Sequence, residues 1–314
     1  MPLRPILFCL SFALVTVQTL GGLWAQETTQ AYLQRPPQEL LTGRAGVSLD
    51  MESHFLRRQT SRIAQGLMRT DDGGRLTRAH TEDIISNFVR IALFTEYSGS
   101  LRRAHNQRSA SLLRRWERPV RMSVTFGQSI PLEQRAEDQR TVREYARRLS
   151  RATGHSIHTA PPQHANFHIL FVNENERVGA LGLLRELLPD ISDRNLRQLV
   201  SMNRHVNCQV FTFWNPNSES DQSYYNAVSI IRGELPPLAR KSCIHEELAQ
   251  GLGLPNDSPD AFPSIFNDDE EFALLTRHDE LLLKILYDER LRPGMSAPEA
   301  EPIVQTIVAE LLPH

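Results

Sequence analysis

The segment from residue 243 to residue 257, CIHEELAQGLGLPND, constrains the fold of this chain more than any other. Its apolar residues Ile244, Leu248 and Leu252 recur at every fourth position, which is the spacing of one face of an α-helix. Gly253 follows the last of them, and a Pro-Asn-Asp turn comes directly afterwards. Because glycine and then proline are signals that end a helix, the segment predicts a helix that stops abruptly near Gly253.

The polar residues of this helix are predicted to share one side. Successive helical residues turn by about 100°, so Cys243, Glu246, Glu247 and Gln250 fall within an arc of roughly 100°. His245 falls nearer the apolar stripe. We therefore predict that His245 is a packed or surface residue and does not share a site with Glu246 and Gln250.

Two registers relate the helix to the zinc-peptidase motif His-Glu-x-x-His. If the motif began at His245, its second zinc ligand would be Ala249, whose side chain has no donor atom. One residue later, EExxQxxGxxND resembles the metzincin signature HExxHxxGxxHD in its spacing. In this register Glu247 corresponds to the catalytic general base, Gly253 to the helix-ending glycine and Asp257 to the final aspartate.

The three zinc-binding histidines of that signature are replaced by Glu246, Gln250 and Asn256. Zinc prefers nitrogen and sulfur ligands, so we expect no zinc at these positions. Calcium or magnesium would suit the oxygen groups better. Since three oxygen ligands bind divalent ions poorly, the preferred interpretation is a degenerate metal site whose side chains hydrogen-bond to each other.

The predicted fold class is α+β, with a zincin-like core. A mixed sheet of about four strands packs on the helix that carries the motif, and the C-terminal part is helical. Alternating or continuous apolar residues predict strands at residues 120–126, 165–172, 208–214 and 224–232. Residues 26–75 are predicted to form an N-terminal arm, partly disordered with a possible helix, and residues 76–314 a single zincin-like domain.

The first 25 residues are predicted to be a secretory signal peptide. Arg4 supplies the positive start, residues 6–17 are apolar, and cleavage is expected after Ala25. The alternative is an uncleaved membrane anchor, because the apolar stretch approaches the roughly 20 residues that span a membrane. We therefore expect a periplasmic or secreted protein.

Cys208 and Cys243 are the cysteines that remain once the signal peptide is removed. In an oxidising compartment such a pair forms a disulfide, which would tie the third predicted strand to the start of the motif helix. The alternative is two buried free thiols.

Several further blocks resemble a bacterial exported family named domain of unknown function 2927. The shared features are Asn87-Phe88, the Glu246–Asp257 block, Pro263-Ser-Ile-Phe-Asn267, Leu275-Thr-x-x-Asp279, and Leu286-Tyr287-Asp with Leu291-Arg-Pro-Gly294-Met295. Together these blocks extend over most of the mature chain. The resemblance implies export, but it supplies no activity, cofactor or partner.

The preferred functional hypothesis is an exported, non-catalytic binding protein with a metallopeptidase-like fold. Without zinc, Glu247 has no metal-bound water to deprotonate, so peptide hydrolysis lacks its electrophile. The partner would be a peptide bound along an edge strand, or an envelope protein. One alternative is an active hydrolase that uses Glu247 with a non-standard metal site. Another is a structural cell-envelope protein that docks through its N-terminal arm.

Composition limits the other partners. The formal net charge is −2, so nothing in the overall charge favours nucleic-acid binding. Beyond the signal segment, the sequence has no apolar run long enough to cross a bilayer. We therefore expect no integral membrane protein unless the signal segment is retained as an anchor.

Overall fold

A computed structural model describes residues 46–77, 80–95, 109–189, 191–215, 222–267 and 269–312. The predicted signal peptide and residues 26–45 of the predicted arm lie outside these ranges. The division of the chain at residue 75 stays a prediction.

The described residues form a mixed sheet, as predicted. The strands are β1 (Phe94–Thr95), β2 (Ser109–Ala110), β3 (Val120–Phe126), β4 (Ile157–Thr159), β5 (Phe167–Val172), β6 (Cys208–Trp214) and β7 (Tyr224–Arg232). β1 and β2 pair with each other, and the other five form one sheet in the order β4-β3-β5-β7-β6. The first four of these are parallel neighbours, whereas β6 runs antiparallel to β7 at one edge. The three-residue β4 is additional to the four predicted strands.

Helices make up most of the remaining described chain, which confirms the α+β class and the helical C-terminal part. They are α1 (Gly46–Ala64), α2 (Thr81–Leu93), α3 (Leu132–Thr153), α4 (Leu181–Leu187), α5 (Asp193–Leu199), α6 (Pro237–Gln250), α7 (Arg277–Leu286) and α8 (Ala297–Leu311). Across the part of the chain that is described, no helix combines the length and apolar character that crossing a membrane requires.

The motif helix is α6, and it begins at Pro237, six residues before the predicted start. Proline suits the first turn because its missing N–H would have no helical acceptor there. Cys243 therefore lies in the middle of the helix rather than at its start. The predicted end is close to the observed one, since α6 ends at Gln250 and Gly253 follows in a left-handed conformation with φ of +126°.

The sheet separates two apolar cores. β5 is buried along its whole length, as expected for the central strand of a parallel region. Phe167, Ile169 and Phe171 face the larger core, which contains residues of α2, α3, α6, α7 and α8. Leu170 and Val172 face the smaller core beneath α4 and α5. The motif helix thus lies on the larger-core face of the sheet.

α1 lies within the predicted N-terminal arm but packs on the larger core. Met51 and Phe55 are buried in that core. Gln59 accepts a hydrogen bond through Oε1 from the backbone N–H of Ala239, at 2.9 Å, in the first turn of α6. This bond satisfies one of the unpaired N–H groups at the start of α6. The arm is therefore joined to the motif helix at residues 46–64.

Candidate functional site: a carboxylate-lined cleft beside α6

A cleft of about 220 Å³ lies between α6, the start of β6, the segment after α6 and one side of α1. Its charged and amide side chains are Arg58, His205, Asn207, Glu246, Glu247, Asp257, Asn267 and Glu270. The two cysteines predicted to pair also line it. The cleft therefore combines the motif helix with an edge strand of the sheet.

The predicted ligand positions are only partly brought together. Glu246 lines the cleft, but Gln250 and Asn256 do not. Gln250 donates through Nε2 to Oδ1 of Asp257 at 3.3 Å. Gln250 is therefore bonded to Asp257, which lies outside the predicted set of ligand positions.

Asn256 holds the turn after α6 against α2. Its Nδ2 donates to the backbone oxygen of Arg90 at 3.0 Å, and its backbone N–H donates to that of Ile91 at 3.3 Å. The side chain is buried. Its role is to attach the segment that carries Asp257 to the rest of the core.

Glu247 is a buried carboxyl group in the wall of the cleft. Only 4% of the residue is exposed. Its Oε2 is buried and has no hydrogen-bond partner among the described residues. Burial raises the pKa of this carboxyl well above its usual value, and the charges of Glu246 and Asp257 raise it further. This rise in pKa favours the protonated form of the Glu247 carboxyl.

Glu246 lies beside Glu247 at the disulfide. One carboxylate oxygen of each residue and the sulfur of Cys208 lie within 4.8 Å of one another. Cys208 is bonded to Cys243, with a Cα–Cα distance of 5.9 Å, which confirms the predicted disulfide. It fixes the first residue of β6 to the middle of α6, so the strand edge and the two carboxyl groups keep a common position.

These residues do not fit a zinc ion. A disulfide sulfur is not a thiolate and cannot act as a zinc ligand. That leaves two adjacent carboxylates, whereas zinc sites use several imidazole or thiolate groups. Of the predicted ligand positions, Gln250 bonds to Asp257 and Asn256 bonds to α2.

His245 lies apart from the cleft carboxylates, as predicted. Its ring stacks on Tyr145, with centroids 4.0 Å apart, and its Nδ1 accepts the backbone N–H of Leu275 at 2.9 Å. Burial, followed by the charges of Arg148 and Lys241, lowers the pKa of His245 well below its usual value. The imidazole is therefore a neutral packing group that joins α6 to the start of α7.

Asp279 organises the segment that forms the far wall of the cleft. Its carboxylate accepts hydrogen bonds from Ser264 Oγ at 2.5 Å and from the backbone N–H of Ile265 at 3.1 Å. It also accepts from the N–H and hydroxyl groups of Thr276, both at 2.9 Å, which completes the capping box of α7. Ile265 itself lines the cleft. The two sequence blocks 263–267 and 275–279 thus meet at the buried carboxylate of Asp279.

Sequence reasoning did not identify Arg58 and Glu270 as cleft residues. Arg58 NH2 donates to Glu270 Oε1 at 2.6 Å, and its NH1 donates to His205 O and to Asn207 Oδ1 at 3.1 and 3.2 Å. The acidic run of residues 268–271 was the available signal for Glu270. For Arg58 there was none, because it is separated from its partners by at least 147 residues.

A family model described as protein of unknown function (DUF2927) matches residues 81–306. The chain belongs to the DUF2927 family. Searches of curated proteins and of solved structures gave no match. The DUF2927 region begins with α2 and contains the five-stranded sheet, α6 and Asp279, whereas α1 with Arg58 precedes it.

Proposed function

We propose that this DUF2927 protein is an exported, non-catalytic binding protein whose zincin-like cleft holds an extended polypeptide along the outer edge of β6. The observation that carries the proposal is that this strand edge and the carboxyl groups of α6 border the same cleft. Residues 205–208 lead into β6 and line the cleft, and the Cys208–Cys243 disulfide fixes the strand to the helix.

The outer edge of β6 offers unpaired backbone groups. The N–H of Arg232 donates to Asn207 O at 3.2 Å, so these two residues form a hydrogen-bonded pair. Because such pairs alternate along antiparallel strands, Cys208, Val210 and Thr212 direct their N–H and C=O groups away from β7. No backbone group of the described residues bonds to them there. An extended peptide could pair with these three residues.

The zincin-like interpretation rests on the same arrangement. α6 packs on β6 and β7, and Gly253, the glycine of the metzincin spacing, follows three residues after the helix ends at Gln250. The altered ligand positions support binding without catalysis, since Gln250 and Asn256 bond elsewhere. Backbone pairing at the strand edge needs neither zinc nor a general base.

A proline substitution tests the proposal. Val210→Pro removes an outward N–H without removing a bond to β7, and proline is tolerated at this kind of edge position. Peptides selected from a displayed random octapeptide library would be measured by fluorescence anisotropy. We expect a loss of about 2- to 12-fold in affinity, which corresponds to one hydrogen bond of about 0.5–1.5 kcal/mol. Val210→Thr keeps the N–H and is the matched control. Equal affinity for both variants would refute binding at this edge.

One observation favours an active hydrolase as the second candidate. A buried carboxyl with a raised pKa beside a second carboxylate is a common acid–base arrangement, and Glu247 with Glu246 has this form. Metal analysis together with a casein-cleavage assay separates the two candidates. Stoichiometric zinc, lost together with cleavage in Glu247→Gln, would establish the hydrolase. Binding of peptides without turnover would support the non-catalytic function.

A further inference from the structure

The charges around the cleft are unequal. Carboxyl groups come from α6, from the turn after it and from the acidic segment: Glu246, Glu247, Asp257 and Glu270. Among the described lining residues, the basic groups are Arg58 and His205. Arg58 and Arg62 both contact Glu270, at 2.6 and 3.3 Å, so that carboxylate is already neutralised. Among the lining residues, acidic side chains therefore outnumber basic ones, and three of the four carboxyl groups lie on α6 or on the turn after it.

The buried oxygen of Glu247 lacks a donor. Glu247 lines the cleft, its Oε2 is buried, and no described group donates to that oxygen. A buried acceptor without a partner destabilises the fold by about 1–3 kcal/mol, and a ligand that brings an N–H group would remove this penalty. When Glu247 is ionised, its oxygens can only accept hydrogen bonds, and a positively charged donor beside them would favour that ionised form against the burial that raises the pKa of the carboxyl.

The spacing of Glu246 and Glu247 suits one nitrogen. Their nearest carboxylate oxygens lie within 4.8 Å of each other. A nitrogen that bonds to both at about 2.7–3.2 Å can bridge oxygens at this separation. An ammonium or guanidinium group supplies several N–H donors and a positive charge for the same position.

The chain already places one cation in this cleft. The guanidinium of Arg58 bonds to Glu270, to the backbone oxygen of His205 and to Asn207. His205 and Asn207 lie just before β6, so a cation is held next to the start of this edge strand. The oxygen groups at the start of β6 therefore already bind one guanidinium.

We infer that the cleft binds a lysine or arginine side chain of the extended peptide that pairs with β6. The inference rests on the proposed peptide binding and adds the class of peptide. The peptide backbone would pair with Cys208 and Val210, and its basic side chain would reach Glu246 and Glu247. Asp257 adds negative charge from the turn after α6.

Matched peptides test this inference. Acetyl-Thr-Val-Thr-Lys-Thr-Val-Thr-amide would be compared with the same peptide carrying arginine, norleucine or glutamate at the central position. Norleucine keeps the unbranched stem and removes the charge. Isothermal titration of the mature full chain is expected to show lysine and arginine peptides binding at least about tenfold more tightly than norleucine, with glutamate weakest.

Substitutions and added salt show where the basic side chain of the peptide binds. Glu246→Gln should reduce the ratio of the affinities for the lysine and norleucine peptides to about one to threefold. Glu289→Gln, which changes an exposed side chain, should leave this ratio unchanged. Raising sodium chloride from about 50 to about 500 mM should weaken the lysine peptide and leave norleucine unaffected. Thermal unfolding of each variant would verify that it folds.

The outcomes separate the two proposals. If norleucine binds as tightly as lysine, the cationic preference is wrong while binding along β6 stands. If none of the four peptides binds, both are wrong. If lysine binds more tightly but Glu246→Gln has no effect, the basic group is bound elsewhere and the cleft assignment is overturned.

Discussion

Removing the Cys208–Cys243 disulfide is the perturbation whose magnitude follows most directly from the structure. The bond joins residues 35 positions apart. In the chain-entropy account, a loop of this length removes about 13 cal/mol/K from the unfolded chain, equivalent to about 3.8 kcal/mol at 25 °C. Replacing both cysteines with alanine should lower the free energy of unfolding by about that amount. At about 2.1 cal/mol/K per residue, a chain of 314 residues unfolds with an entropy of about 0.66 kcal/mol/K, so the midpoint should fall by about 6 °C.

Calorimetry of the oxidised protein and of the double-alanine variant measures the difference. The matched control is the reductant dithiothreitol, which should lower the midpoint of the natural sequence and leave the variant unchanged. Thiol titration in denaturant should find no free thiol in the natural sequence expressed without residues 1–25, which contain Cys9. A midpoint change below about 2 °C, or two free thiols per chain, would refute the disulfide as a stabilising tie between β6 and α6.

Three other substitutions test the cleft and its support. Burial raises the pKa of Glu247 above its usual 4.5, so the folded state keeps a proton that the unfolded state loses. The natural chain should therefore lose stability relative to Glu247→Gln as the pH rises above about 4.5, measured by urea unfolding between pH 4 and 8. Gly253→Ala places a Cβ 2.2 Å from the backbone oxygen of Arg114 and should destabilise by at least about 1–3 kcal/mol in the same assay. Asp279→Asn weakens bonds to two segments and should cost about 2–4 kcal/mol, with faster proteolysis of residues 258–272.

Each substitution has a control and a contrary result. A difference between Glu247→Gln and the natural chain that is independent of pH would contradict a raised pKa. Gly66→Ala has a similar backbone strain at φ of +80° but meets no atom within 4 Å, so it should cost less than Gly253→Ala. Glu289→Gln, on an exposed side chain of a loop, should leave both unfolding and proteolysis unchanged where Asp279→Asn alters them.

Local signals in the sequence predict α6 well. The four-residue apolar spacing and the glycine after it are properties of one continuous segment, so they specify the helix and its end. The helical wheel also separates His245 from Glu246 and Glu247 correctly, because angles along a helix follow from residue number alone. The disulfide was predictable because two cysteines remain once the predicted signal peptide is set aside, and they allow a single internal pairing.

The ligand positions beyond α6 were less predictable. Asn256 follows Gly253, where the chain leaves the helix, so its direction depends on the turn rather than on helical spacing. Its amide bonds to α2, more than 160 residues earlier in the chain. A motif spacing predicts which residues lie near each other along the chain, but it does not specify which of them face the same cleft.

The rest of the cleft depends on contacts between distant segments. Arg58 and Glu270 meet across 212 residues, and no local pattern indicates their pairing. The antiparallel direction of β6 is equally hidden, because an apolar strand pattern gives no strand order. The outer edge of β6 and the unequal charge of the cleft therefore became visible only in the folded chain.

Amide hydrogen exchange of β6 during titration with a bound peptide tests the central claim most directly. If the peptide pairs with the outer edge, the exchange of Cys208, Val210 and Thr212 should slow at saturation. Gln209 and Phe211 already face β7 and should change little. Protection confined to residues outside β6 and the cleft, with the three outward amides unchanged, would contradict the proposed binding along this strand.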